Sequence, residues 1–198
     1  MGGEDWEYWM DALLTADLLA PNAKTVAYTY IGSELTWPIY WEGTLGKAKA
    51  DLDRASAQIQ QKLQSIGGDA RVAVLKAIVS QASAAIPVVP LYAALLFRVM
   101  KEQGSHEECI EHIDRLFASQ LQPEAEMRLD EAGRIRVDDL ELADRVQAEV
   151  KRRWPLVDTE NLPELGDLTG FREDFLKIFG FGIDGVDYDA DVDPQRIS

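Results

Sequence analysis

Residues 25–79 read TVAYTYIGSELTWPIYWEGTLGKAKADLDRASAQIQQKLQSIGGDARVAVLKAIV, and the change of period inside this stretch sets the fold. Thr25 to Ile31 is rich in β-branched and aromatic residues and is closed by Gly32, which predicts a strand. From Thr44 the apolar period becomes 3.6. Leu45, Ala48, Leu52, Ala55, Ile59, Leu63 and Ile66 share one stripe, with Thr44 as N-cap and Gly67-Gly68 beyond the end. Val72 to Val79 is a second short apolar run. Strand, helix, strand is the unit from which parallel sheets are built. Such sheets are normally buried on both faces and hold more than two strands, yet no further unit of this kind follows, so other strands have to come from elsewhere.

Upstream, Trp6, Trp9, Met10, Leu13 and Leu14 recur at helical spacing, predicting an amphipathic helix over Trp6 to Leu19 with its aromatics in the core. Downstream, helices are expected over Leu91 to Gln103, Glu107 to Leu121, Asp138 to Trp154 and Gly170 to Phe179. Met127 to Val137 alternates around Asp130 to Gly133 and predicts a small β-hairpin. Lys151-Arg152-Arg153 complements the negative end of its helix dipole. The expected class is therefore α/β, mostly helical, with two parallel strands and a small β-hairpin in one domain.

The chain has 198 residues, 46% of them apolar, enough for one substantial core. Its 20 basic and 35 acidic residues give a net charge of -15, which repels a phosphate backbone, so no nucleic-acid partner is expected. Any anionic ligand has to meet local positive charge or backbone donors. Cys109, the only cysteine, excludes an internal disulfide framework, suits a reducing cytosol and reads as a small buried residue. The N-terminus begins with acids and lacks the pattern of a signal peptide. The longest apolar run, Ala84 to Phe97, contains Pro87 and Pro90 and falls short of the roughly 20 residues that cross a bilayer. A cytoplasmic location and no membrane span are expected. His106 and His112 read as solvent-facing helix residues without a ligand cluster around them. The aspartates at 184, 187, 189, 191 and 193 lack the ordered Asp, Gly and Glu spacing of an EF-hand loop, so no metal site is expected.

Tyr40 and Lys49 carry the candidate chemistry. Nine positions on a continuous helix rotate by about 900° and would leave the two side chains on opposite faces. Pro38 and Gly43 instead put Tyr40 in the loop before the helix and Lys49 in its second turn, where the loop can fold the phenol back. A phenol with a pKa near about 10 can hydrogen-bond or protonate an enolate oxygen when an ammonium stabilises its anion, and the same ammonium can hold the ribose of a nicotinamide cofactor. Spacing alone favours the plainer reading, a half-buried core aromatic and an exposed helix lysine, because such pairs are common.

The wider sequence changes that weighting. AYTYIGSELTWPIYWEGTLGKAK, VAVLKAIVSQASAAIPVVPLY, LDEAGRIRVDDLEL and FGFGIDGVDYDADVD resemble the FabV-type trans-2-enoyl-CoA/acyl-carrier-protein reductases, large single-chain relatives of the short-chain dehydrogenases, over nearly the whole chain. The resemblance implies the C-terminal half of a Rossmann-like fold and the NADH-dependent reduction of the C2=C3 double bond of an enoyl-CoA or enoyl-acyl-carrier-protein thioester in fatty-acid biosynthesis. By it Tyr40 matches the catalytic tyrosine and Lys49 the cofactor-binding lysine. Ile78, Val79 and Ser80 match a cofactor-contacting segment, and Tyr30 matches a substrate-contacting tyrosine. Residues 83 to 97 would supply an apolar wall for the acyl chain. Short-chain dehydrogenases usually place lysine four residues after tyrosine; the eight-residue gap here argues for the FabV type.

Family members are about twice as long, and no G-x-G-x-x-G cluster follows a strand in this sequence, so the pyrophosphate site is expected to lie in an N-terminal half that this chain lacks. That half is the partner the resemblance implies. The rival reading is a non-catalytic helical interaction module that kept the sequence and lost the reaction.

Overall fold

The computed structural model describes residues 2–123, 125–193 and 195. Helix α1, Glu4–Thr15, precedes strand β1, Lys24–Thr29. A short helix α2, Trp37–Tyr40, then leads through Gly43 into α3, Thr44–Leu63. Gly43, with extended backbone, takes the N-cap position expected of Thr44. Gly67 sits at φ 68°, the left-handed conformation that ends a helix at little steric cost. Strand β2, Asp69–Val74, pairs parallel with β1 from Lys24↔Asp69 to Thr29↔Val74. The predicted strand, helix, strand unit is thus present.

Both strands are shorter than their apolar runs. β1 stops before Tyr30, and β2 stops at Val74 instead of Val79. Beyond this point the backbone donors turn to side chains: Lys76 N donates to His112 Nε2 at 3.3 Å and Ala77 N to Glu141 Oε2 at 2.5 Å.

The sheet has a third strand that the sequence reading did not contain. β3, Ile135–Arg136, runs parallel to β2 with Ala73↔Ile135 and Val74↔Arg136, giving the order β1-β2-β3. The predicted hairpin is present as the antiparallel bridge Leu129↔Ile135, with Asp130 N donating to Arg134 O at 2.9 Å and Arg136 N to Arg128 O at 3.1 Å, and its second arm also joins the main sheet. The physical reason is burial: Ile135 and Val137 pack with Ala73, Leu75 and Leu116, whereas an isolated two-stranded hairpin is marginal in water.

Between β2 and β3 lie α4, Gln81–Ala85, α5, Val89–Glu102, and α6, Cys109–Leu116, followed by a π-helical turn, Phe117–Leu121. After β3 come α7, Asp144–Arg153, α8, Leu162–Leu165, and α9, Leu168–Lys177. Helix α7 begins six residues later than the predicted Asp138 because Asp138 and Glu141 are buried in the preceding turn, Asp138 paired with Arg136 at 2.6 Å. Helix α5 is the centre of the largest core, where Tyr92, Leu96 and Phe97 meet Val146 and Val150 of α7 and Phe171 of α9.

A second cluster joins Met10 of α1 to Ile59 and Leu63 of α3 and Ala70 of β2. Trp6, Leu13 and Leu14 flank it, but Trp9 is 70% exposed, against the expectation of a core aromatic. It lies about 100° round the helix from Met10, off the buried stripe. The histidines also depart from expectation. His112 is wholly buried between Glu107 and Lys76 N, and both ring nitrogens of His106 are buried without a hydrogen-bond partner beside Phe97, 4.9 Å between rings. Burial holds the His106 imidazole down to about 4, with Lys76 adding to the effect, so it is neutral at pH 7. Cys109 is half-buried.

Candidate active site

A cavity of about 420 Å³ opens beyond the carboxyl ends of β1 and β2, between α3 and the segment running from Leu75 into α4. That is where ligands gather in open parallel sheets. Tyr30, Tyr40, Lys49, Ile78 and Ser80 all line it, so five of the six predicted site residues converge. Val79 does not. It points to the other side of the segment, into the core with Phe97 and towards a second cavity of about 470 Å³, because successive residues of an extended chain face opposite ways.

Each side chain is placed by a local feature. Pro38 starts α2, which ends at Tyr40, and Trp41 N donates to Trp37 O at 2.9 Å. The chain then enters α3 beside it. A Cβ on Gly46 would stand 1.8 Å from Trp41 O, so only glycine lets the turn and the helix approach this closely. Tyr40 is 7% exposed, and its ring meets that of Tyr30 edge-to-face, centroids 4.7 Å apart at 83°. Lys49 Nζ stands 5.5 Å from the Tyr40 ring centroid and donates to Thr29 Oγ1 at 2.8 Å. Ser80 caps α4: its Oγ accepts from Ser83 N at 3.1 Å while Ser83 Oγ accepts from Ser80 N at 2.8 Å.

The electrostatics follow from desolvation. Burial pulls the Lys49 ammonium down to about 8, with Asp53 opposing the shift. Burial, and then the negative charge of Glu141, raises the Tyr40 phenol above its ordinary value. The same two causes raise Tyr30 well above it, helped by Tyr92. Tyr40 therefore stays a proton donor at neutral pH. The ring of this phenol, not its oxygen, is the documented neighbour of the ammonium.

Sequence reasoning missed the carboxylate at the centre of this electrostatics. Glu141 is wholly buried and accepts from Tyr30 Oη and Tyr92 Oη, each at 2.8 Å, through Oε1. Burial raises its pKa, opposed by Ala77 N, the two phenols and Lys76. No local pattern in DDLELAD marks it. Lys76 was visible as the one charge inside the apolar run VAVLKAIV; it is 1% exposed, and Nζ donates to Ala77 O at 3.1 Å.

A family model described as the trans-2-enoyl-CoA reductase catalytic region matches residues 1–122. The chain belongs to this family. Among curated relatives, the enoyl-[acyl-carrier-protein] reductase [NADH] 1 of Vibrio vulnificus is 57% identical over 98% of this chain and 49% of its own length. That of Opitutus terrae is 58% identical over 98% and 50%. The crystal structure of Clostridium acetobutulicum trans-2-enoyl-CoA reductase in complex with NADH superposes with a TM-score of 0.92 at 48% identity, covering 98% of this chain and 49% of that one. The Treponema denticola enzyme in complex with NAD gives 0.89 at 45%, covering 96% and 48%. The chain spans about half the length of the curated relatives it matches.

A second model, described as an enoyl reductase FAD binding domain, matches residues 129–192. Within it Gly180, Gly182 and Gly185 have the spacing of a G-x-G-x-x-G fingerprint, but they follow helix α9 instead of a strand and lie in an exposed turn with positive φ, open space around each. Arg134, Arg136, Arg153 and Lys177 of the same segment are each engaged by carboxylates of this chain. These residues do not fit a flavin pyrophosphate, and no step runs through one. NADH fits in part. Lys49 can donate at the cavity, while a pyrophosphate cradle between strand and helix is not among the described residues.

Proposed function

We propose that this chain forms the substrate side of an NADH-dependent reductase of trans-2-enoyl thioesters, carried by CoA or an acyl carrier protein, and acts in fatty-acid biosynthesis together with an N-terminal dinucleotide-binding half. The observation that carries the reading is the convergence of Tyr30, Tyr40, Lys49, Ile78 and Ser80 on one cavity at the carboxyl end of the parallel pair. Among the described residues no helix is long and apolar enough to cross a membrane.

When bound, NADH supplies a hydride to C3 of the enoyl thioester, and the C2=C3 electron pair passes onto the thioester oxygen as an enolate. Tyr40 hydrogen-bonds that oxygen and assists delivery of the proton that completes C2. Its raised pKa keeps the proton available until charge develops on the substrate. Lys49, positive below about 8, holds the ribose hydroxyls and stabilises the phenolate that follows proton transfer. Tyr30 packs against the Tyr40 ring and fixes its orientation while contacting the acyl group. Ile78 and Ser80, on the cavity wall, would contact the cofactor when it is bound. The apolar residues Ile86, Val89 and Ala93 wall the acyl chain.

The test is a chimera in which this chain replaces the matching half of the Vibrio vulnificus relative. Crotonyl-CoA-dependent NADH oxidation is expected in the chimera and not in the chain alone. Tyr40→Phe is expected to lower kcat by about 10²- to 10⁴-fold with the melting temperature preserved, the range for a lost general acid. Unchanged kcat in that variant overturns the assignment.

A further inference from the structure

The β1–β2 ladder ends at a definite rung. Leu75 N donates to Thr29 O at 2.8 Å, and in a continued parallel ladder the next donor on that strand, Ala77 N, would reach the Ile31 carbonyl. It reaches Glu141 Oε2 instead, at 2.5 Å, while Oε1 of the same carboxylate accepts from the Tyr30 phenol, 111 positions away in sequence. One side chain thus joins the backbone leaving β2 to the phenol of Tyr30, the first residue past β1.

Resting on the reading above, we propose that Glu141 is a positioning residue of the reductase site: its carboxylate takes the place of the next ladder rung, holds the two strand ends apart, and fixes Tyr30 against Tyr40. Glu141 does not itself line the cavity, so it acts through Tyr30 and through the Ala77 backbone that carries Ile78 and Ser80.

The chemistry requires a carboxylate here. Three donors converge on it: Ala77 N, Tyr30 Oη and Tyr92 Oη. An ionised carboxylate only accepts and has about four lone-pair sites, whereas an amide of the same shape brings an NH₂ group that faces a donor or reverses both phenols. Because the Tyr30 proton is committed to Glu141, the Tyr30 oxygen can only accept on its cavity side. Tyr30 from the end of β1, Tyr92 from α5 and Lys76 from the β2 extension are the titratable groups that bear on the carboxylate. The turn that carries it is pinned by Gln147 of α7, whose Nε2 donates to Glu141 O at 2.7 Å. The negative charge raises both Tyr30 and Tyr40, which gives the role a signature in pH.

The experiment uses the same chimera. Glu141→Gln is expected to lower kcat at least about tenfold per folded molecule with the KM for NADH changed less than about threefold. In a Lys49→Arg background, where the lysine limb at about 8 is gone, Glu141→Gln is expected to move the remaining alkaline limb to lower pH, because the tyrosines lose the charge that raised them. Glu141→Asp keeps the charge but withdraws the carboxylate by one methylene, so it is expected to lose kcat with the alkaline limb in place. A folded glutamine variant with wild-type kcat and an unmoved limb overturns the proposal. If that variant does not fold, the aspartate variant decides, and wild-type kcat in it overturns the proposal equally. An active parent with an inactive Tyr40→Phe and a fully active Glu141→Gln refutes this role alone, whereas an unaffected Tyr40→Phe refutes the functional reading beneath it.

Discussion

The two ends of the β1–β2 pair are built on different principles. At the foot, Met10, Ile59, Leu63 and Ala70 close an apolar cluster, and the ladder begins in register at Lys24↔Asp69. At the carboxyl end half-buried Tyr30 stands beside the buried Lys76, His112 and Glu141, and the ladder opens. Buried charges and phenols keep their positions only while every hydrogen bond is met, and they contribute less to stability than the methylenes they displace. The foot therefore holds the sheet together, and the open end is shaped for a ligand.

Removing apolar volume from the foot gives the sharpest break in this comparison. Ile59→Ala is expected to cost about 2–4 kcal/mol of stability through lost burial and a residual cavity, while kcat per folded chimera stays within about twofold. Denaturant titration beside active-site counting checks it. A large fall in kcat per folded molecule would show that the two ends are coupled.

The open end is expected to answer to pH instead. Lys49 has its pKa lowered to about 8, so kcat/KM of the free enzyme is expected to fall about tenfold per pH unit above that value. The sign follows from the ammonium being the working form: it is present below about 8 and lost above it. Lys49→Arg is expected to remove this limb, since a guanidinium does not titrate there. A limb that persists in the arginine variant assigns it to another group.

The smallest effect belongs to the surface of the foot. Trp9→Ser is expected to change stability by no more than about 0.5 kcal/mol, because the ring is exposed one position from the buried Met10. A loss near that of Ile59→Ala would place Trp9 in a contact outside this chain.

The contrast also explains what could be read in advance. The α3 stripe and the β-branched runs were legible because each records an apolar face in its own period, and Pro38 and Gly43 marked the break before α3, although Tyr40 ends the short helix α2 instead of lying in a loop. Lys76, a charge among apolar residues, was a signal that the sequence reading passed over, and its burial does not follow from that signal. His112 was misplaced because a histidine on a helix carries no local mark of the face it buries, and His106 because it lies in the connection between α5 and α6, where no periodicity reports burial. Ile135 was read as a hairpin residue, as its bridge to Leu129 bears out, but its second partner, Ala73, went unread because it lies 62 positions earlier in sequence.

By itself the sequence determined the parallel pair, the helix between its strands, the break in the chain between Tyr40 and that helix, and the family. Only the tertiary structure decided where the ladder ends and what ends it. Periodicity reports which positions avoid water, but a buried carboxylate is selected by the donors that converge on it, and Tyr30, Ala77 and Tyr92 reach Glu141 from three elements that meet only in the folded chain.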